Sequence, residues 1–497
     1  MDAGQSQLHP SLTAVAALLS ASAFYFGTGL HPIWWLTWLA PLPLLLVSPQ
    51  LSGRAAFIVS WLAAVAGALN LWRYFHYDLE APVLVTLLIL VFTSAALALG
   101  VCLFRRSALR GNLFATALVF PAFWVAYEYL RASTSPHSTA LNIAYSQMNF
   151  LPILQTASIA GIWGIDFCVF LFPATLAALI AVPGQAGRKK LLAAGFGVFM
   201  LVVLGFGEWR LNRPAPSTVV TVALVASDLP QNTLPTTEED TMRLLREYAA
   251  AAENVSARHP QAIVIPEKIA VVREAYLSSA DSVLSSVAAR SQAVVVAGLI
   301  RRDAKGAWNE ARVYRPQGGA PLSYEKHHML PPFESQFIVG TWRTLLHEPS
   351  GTWGVTICKD MDFPRLSRHY AEDGAGLLLV PAWDFDSDGW LHGRMAILRG
   401  VEDGFSIARA PRHGILSISD DRGRVLAELA TDSAPFAVLV AAIPVEHQAT
   451  FYSRFGDWFA WLSLIALIVV IFSLSKPPVD QSASKETGGS AVKERTS

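Results

Sequence analysis

The feature that most constrains this chain is a series of apolar segments, each near the ~20 residues a helix needs to cross a bilayer, that fills its first third and continues beyond it. In lipid every backbone N–H and C=O must be satisfied within the segment, which leaves the helix as the spanning form. The segments read as spans at Leu12–Leu30, Ile33–Val47, Ala55–Trp72, Pro82–Phe104, Leu113–Leu130, Ile153–Val182 and Leu191–Phe206. The second is short and carries Pro41 and Pro43. Trp34, Trp35, Trp38, Trp72 and Trp209 sit near span ends, as interfacial aromatic residues do. The first span has neither a basic leader nor a small-residue cleavage site, so it reads as a retained helix. Composition agrees: 53% of the 497 residues are hydrophobic and 15% charged, too apolar for an ordinary soluble protein.

Orientation follows from basic residues in the short loops. Arg54, the group Arg105, Arg106 and Arg110, and the group Arg188, Lys189 and Lys190 follow even-numbered spans. Loops after spans one, three and five carry only Arg73 and Arg131. The N-terminus is therefore expected inside, and everything after Arg210 on the far side. Glu128 ends the fifth span an i,i+3 step from Arg131, the spacing of an ordinary interfacial pair.

At Arg213-Pro-Ala-Pro216 the composition changes. From Ser217 to about Val445, short β-branched runs alternate with helical stretches: Val219–Val225, Glu238–Arg258, Ala262–Ile265, Tyr276–Arg290, Ala293–Leu299. That alternation predicts sheets covered by helices. An eighth span at about Trp458–Leu474 returns the chain inside, where Lys476, Lys485, Lys493 and Arg495 lie. The expected division is a seven-span domain over 1–212, a soluble α/β domain over 217–446, a last membrane helix over 456–474 and a disordered, Ser/Lys/Glu-rich tail over 475–497.

Three pieces of the soluble part carry chemistry. Ala262-Ile-Val-Ile-Pro266-Glu267 places a carboxylate at the C-terminal edge of a strand, where sites in α/β folds gather. Tyr324-Glu-Lys326-His-His-Met-Leu-Pro-Pro-Phe-Glu334 offers a lysine in a turn and a second carboxylate. Val355-Thr-Ile-Cys358-Lys-Asp360 delivers a thiol to a strand end, with Asp360 beside it. Adjacent His327 and His328 point apart and have no third partner at zinc spacing. Cys102 and Cys168 lie in apolar segments, so no disulfide framework is implied. The zero formal charge gives no general case for binding nucleic acid. A thiolate, a carboxylate and an ammonium together suit acyl transfer: the thiolate attacks a carbonyl, the carboxylate moves the proton, the ammonium meets the oxyanion. All three are placed at a cleft, where substitution is expected to leave folding undisturbed.

These pieces resemble the nitrilase (carbon–nitrogen hydrolase) superfamily, which implies an αββα sandwich with a Glu–Lys–Cys triad. Eight spans with such a domain between the seventh and eighth further resemble the apolipoprotein N-acyltransferases. The matching stretches are Trp124-x-x-x-Glu128-x-Leu-Arg131, Ala144-Tyr-Ser-Gln147 and Gly161-Ile-Trp163-Gly164, then Leu229-Pro-Gln231 and the three pieces above. Trp390-x-His392 with Arg394-Met395, and Tyr452-x-x-x-Gly456-Asp-Trp458, complete the set. The resemblance implies Glu267 as general base, Lys326 as oxyanion cation and Cys358 as nucleophile, supported by Glu334 and Asp360. It implies no cofactor and no metal, a phospholipid donor, a diacylated apolipoprotein acceptor, and a monomer in the bacterial inner membrane with its catalytic domain in the periplasm. The departures are Lys359-Asp360 where the family has Tyr-Glu, a shorter Glu334-to-Cys358 segment, Thr233-Leu-Pro235 after Gln231, Pro381-Ala-Trp383-Asp-Phe385-Asp, and Ala410-Pro-Arg412-His413-Gly414. They favour, as the alternative, a divergent membrane-anchored hydrolase or acyltransferase with another acceptor. A binding module without catalysis would not be expected to keep all three reactive groups. A transporter is disfavoured because most ionisable residues lie at span ends.

Overall fold

A computed structural model describes residues 9–214, 216–232 and 234–475. The expected tail over 475–497 therefore lies, beyond Ser475, outside the described residues, as does Thr233. Among the described residues seven helices are long and apolar enough to cross a membrane: Pro10–Gly27, Gly53–Leu71, Val83–Leu109, Leu113–Thr134, Ile162–Ala181, Ala186–Leu211 and Trp458–Ser475.

Eight such helices were expected, and the difference lies in the second. Ile33–Val47 is not one helix but two of six residues each, Trp34–Leu39 and Leu42–Val47. Pro41 has no N–H to continue the first and caps the second. Each piece rises only ~9 Å. The break is held from outside: Gln147 accepts from Trp38 Nε1 at 2.7 Å and donates to the Trp34 carbonyl at 3.0 Å. At the far end the Leu51 carbonyl accepts from Arg105 Nε at 2.8 Å, so the segment leads from one end of the bundle to the other.

The sixth expected span also starts later than its hydropathy suggests. Leu151–Leu154 and Ala157–Ala160 are short turns, and the long helix begins at Ile162. Gly161 separates them with φ +65°, and a Cβ there would stand 2.4 Å from the Tyr452 ring. Tyr452 and Trp163 both donate to Asp457 at 2.8 Å. The Gly161 stretch and the closing Tyr452 stretch thus form one joint.

Beyond Pro216 two sheets stack. The first runs, in spatial order, Ala437–Pro444, Val219–Ala226, Ala262–Ile265, Val294–Asp303, Gly306–Tyr314 and Leu322–Glu325, with Val271–Arg273 paired beside Val294–Asp303. The second runs Val425–Ala430, Ile415–Ser419, Ser406–Arg412, Ala375–Trp383, Gly351–Val355 and Thr344–Glu348. Their inner faces share one core, in which Val222, Leu224 and Val264 meet Val355, Leu377 and Ile418. Helices Glu238–Glu253 and Leu277–Ser291 cover the outside of the first sheet. Thr237 caps the former by accepting from Asp240 N–H, and Glu238, Glu239 and Asp240 face its positive end.

Helices Pro364–Glu372 and Gly389–Asp403 cover the second sheet, completing the αββα sandwich. Helix Gly389–Asp403 has two partners. Ala396 packs with the sheet residues Leu378 and Val380, whereas Leu391, Met395, Leu398 and Val401 join the core of the membrane bundle. All of its residues except Trp390 and His392 are buried, the charged Arg399, Glu402 and Asp403 among them, so the helix is covered on nearly every side. It brings the sandwich against the membrane helices without a spacer.

Candidate active site

Glu267 follows the strand Ala262–Ile265, and its N–H donates to the Ala382 carbonyl at 3.1 Å, tying the first sheet to the second. Gly298 on the neighbouring strand leaves room for it: a Cβ at 298 would lie 2.4 Å from Glu267 Cα, a backbone atom that cannot swing away. Lys326 follows Leu322–Glu325 and donates its N–H to the Asn309 carbonyl at 2.9 Å. Its Nζ lies 2.8 Å from Glu267 Oε1 and 2.7 Å from Glu334 Oε2. Only 2% of the lysine side chain is exposed, so this is a buried charge triad and not a cleft rim. The expectation that all three groups sit at a cleft is thereby corrected for Glu267 and Lys326, both almost fully buried. Burial works against the ammonium, but Glu267 and Glu334 hold its pKa well above the usual lysine range. Burial likewise opposes the Glu334 carboxylate, and Lys326 and Lys268 hold its pKa far below the usual range.

Cys358 is placed differently from a strand terminus. The strand Gly351–Val355 ends three residues earlier, and the cysteine opens a short 3-10 turn, Cys358–Asp362, with φ +44°. A side chain other than glycine in this region is strained and persists only where its surroundings enforce it. Sγ donates to the Trp383 carbonyl at 3.4 Å. Burial and the Glu267 charge push the thiol pKa up, while Lys326 and Arg409 pull the other way. The charges of Glu267 and Lys326 are thus both near enough to act on the Cys358 thiol.

Asp360 does not face the reacting groups. Its carboxylate accepts from His328 N–H at 2.8 Å, Tyr324 O–H at 2.7 Å and Ile357 N–H at 3.3 Å, and pairs with His328 Nδ1 at 2.9 Å. It staples the lysine loop to the cysteine turn. His328 stacks on Phe363 at 3.5 Å, and His327 Nε2 instead meets the Trp342 carbonyl at 3.1 Å.

Several residues at the site escaped sequence reasoning. Asn309 Nδ2 donates to Glu267 at 2.5 Å and Glu334 at 3.0 Å. Lys268 pairs with Glu334 at 2.5 Å and lies 5.2 Å from the Trp383 ring centroid. Arg409 pairs with the buried Asp384 at 2.8 Å beside the thiol. Only Lys268 carried a signal, its adjacency to Glu267. Asp384, Asp388 and His392 bring ligand atoms within 4.8 Å of one another, the grouping among the described residues that could hold a metal ion. Arg409 already supplies Asp384 with a cation.

A cavity of about 670 Å³ lies beside the site. Leu330, Pro332 and Phe333 of the lysine loop form one wall, and Leu97, Trp124 and Tyr74 of the membrane part form another. Glu128 and Arg131 line it as an ion pair of 2.7 Å, the i,i+3 pair expected. Asn142 donates from one amide to both Glu128, at 3.1 Å, and the buried Asp166, at 2.9 Å, which sequence reasoning missed. The arrangement sets a thiol, a carboxylate and a fixed cation next to an apolar space reaching into the membrane helices.

Residues 16–175 match the apolipoprotein N-acyltransferase N-terminal domain, and residues 221–448 match the carbon-nitrogen hydrolase family. The apolipoprotein N-acyltransferase of Geobacter metallireducens is 27% identical over 508 residues, covering 92% of this chain and 94% of that protein. The apolipoprotein N-acyltransferase of Shewanella oneidensis is 26% identical, covering 86% and 88%. Among solved structures, Saccharomyces cerevisiae Nit3, a member of branch 10 of the nitrilase superfamily, is 20% identical, covering 46% of this chain and 92% of its own, with a TM-score of 0.40.

Proposed function

Because this chain belongs to the apolipoprotein N-acyltransferase family, a membrane branch of the carbon–nitrogen hydrolases, we propose that it moves a fatty acyl chain from a phospholipid to the N-terminal amine of diacylglyceryl-cysteine in lipoproteins. The observation that carries this reading is the grouping of Cys358, Glu267 and Lys326 beside a cavity walled by membrane helices.

In the first half-reaction Glu267 takes the Cys358 thiol proton as sulfur attacks the ester carbonyl carbon. The raised thiol pKa makes that base necessary, since little thiolate forms unaided. The oxyanion forms near Lys326 Nζ, whose charge is fixed by two carboxylates and needs no reorganisation. Collapse breaks the ester C–O bond, the leaving lysophospholipid oxygen takes the proton from Glu267, and a thioester remains on Cys358. In the second half the neutral acceptor amine attacks the thioester, Glu267 accepts its proton, and the proton passes to the departing Cys358 sulfur. Ester and amine become alcohol and amide, and the enzyme is restored. Glu334 and Asn309 hold Glu267 and Lys326 in place, and Asp360 holds the two loops together.

The catalytic domain faces the periplasm and both termini face the cytoplasm in this reading. Arg106 and Arg110 donate to the carbonyls of Leu474 and Ser473, and Gln185 donates to Gly111, so the basic loops and the end of the last helix share one side. The sandwich joins the bundle at the opposite end, next to Leu211. Counting the broken Trp34–Leu51 segment as a pass gives eight crossings. The protein acts as a monomer without metal, cofactor or nucleic acid.

The test is incubation of purified protein with phospholipid and no acceptor, followed by intact-mass spectrometry. A hydroxylamine-labile acyl group on Cys358, absent from Cys358→Ala, is expected. Turnover of a small amide with no adduct from phospholipid would reject the proposal.

A further inference from the structure

The cluster of Asp384, Asp388 and His392 takes no part in the acyl-transfer steps. His392 Nδ1 lies 3.5 Å from Asp384 Oδ1 and 3.4 Å from Asp388 Oδ2, and both carboxylates are buried. Arg409 supplies one positive charge to this pair of acids, so a charged imidazole balances the second.

The backbone also fixes the ring. His392 N–H donates to the Asp388 carbonyl at 3.0 Å in the first turn of helix Gly389–Asp403, the helix shared with the membrane bundle. Tyr74, from the membrane part, sets its hydroxyl against Asp388. With Nδ1 directed at two carboxylates, Nε2 is the nitrogen left to donate elsewhere, and no hydrogen bond to it is found among the described residues. His392 lines the apolar cavity, and its side chain keeps 19% exposure there. The other cation on that wall, Arg131, is already engaged by Glu128 and the Ala140 carbonyl. A charged N–H without a hydrogen-bond partner among the described residues, in an apolar cavity at the membrane junction, suits an anionic oxygen attached to hydrocarbon chains.

We infer that His392 Nε2–H binds the phosphodiester of the phospholipid donor while an acyl chain occupies the cavity, an inference that rests on the phospholipid-donor reading above. Free inorganic phosphate presents the same oxygens, so the test separates the two sources.

Full-length protein carrying Cys358→Ala, in detergent, is titrated with dipalmitoylphosphatidylethanolamine or with dipalmitoylglycerol, which lacks the phosphate, and retained lipid is counted by native mass spectrometry. Adding His392→Gln is expected to raise the half-saturating phospholipid concentration by roughly tenfold or more, the scale of one charged hydrogen bond, with a several-fold smaller effect on the diacylglycerol. His392→Lys, which keeps a cation, recovers part of the loss. If the glutamine variant does not fold, Asp388→Asn, which unseats the ring, carries the test with the same lipid selectivity expected. Equal weakening of both lipids makes His392 a cavity-shaping residue and overturns the inference, as does an unchanged phospholipid titration. Displacement of the lipid by inorganic phosphate alone, with no such selectivity, assigns the site to a free anion and overturns it too. Phospholipid that binds through His392 but never acylates Cys358 in the otherwise unaltered protein would sink the donor reading while leaving this site standing.

Discussion

Cys358 is held where its thiol resists ionisation, and the Glu267 charge is part of the reason. A raised pKa means the neutral thiol persists below it, so alkylation by iodoacetamide should lack the inflection near pH ~8.5 of an ordinary cysteine and climb only above it. Glu267→Gln removes a charge that raises the thiol pKa, so alkylation at a given pH should speed up. The same change should slow acylation from phospholipid by about 10²-fold or more through loss of the proton acceptor. Opposite movements in one variant distinguish a general base from a merely structural carboxylate, and parallel losses would argue against the role. Lys326→Met should slow acylation comparably by leaving the oxyanion unpaired. It should also lower stability by about 3 kcal/mol, because Glu267 and Glu334 lose the buried cation they share and keep only the more exposed Lys268. Thermal unfolding of Lys326→Met and of Lys326→Met with Glu334→Gln checks this, since the second change should return part of the loss.

The elements that carry the site were legible to different degrees. The strand Ala262–Ile265 that leads to Glu267 and the αββα order show directly in β-branched runs separated by helical stretches. Hydropathy found the second membrane segment but not its break, because averaging over a window hides the missing N–H of Pro41 and the grip of Gln147. Cysteine has no preference that would announce φ +44°, so the turn at Cys358 was read as a strand end. Asn309 meets Glu267 from 42 positions away, and no local pattern marks a contact made by sheet pairing. Gly298 is a similar case, visible only once its strand lies beside Glu267. Gly298→Ala should push the Glu267 backbone and reduce acylation by about 10²-fold, the cost of a misplacement near 1 Å, with circular dichroism unchanged. Full activity in that variant would show that the Glu267 position is not critical.

At the scale of the whole molecule, the end of the bundle that carries the basic loops and the end that carries the sandwich are opposite. A reporter active only in the periplasm should therefore work when fused near Arg302 and be silent when fused after Ser497, and the reverse pattern would invert the orientation. Helix Gly389–Asp403 adds a second whole-molecule property, since its Leu391, Met395, Leu398 and Val401 are buried by the membrane bundle. Residues 217–446 expressed alone should expose that apolar face and remain soluble only with detergent. During synthesis the first six long helices leave the ribosome before the sandwich does, and the last helix leaves after it. The bundle is thus a surface already waiting when residues 389–403 emerge, and the enzyme's late half matures against its early half as a casting sets against its mould.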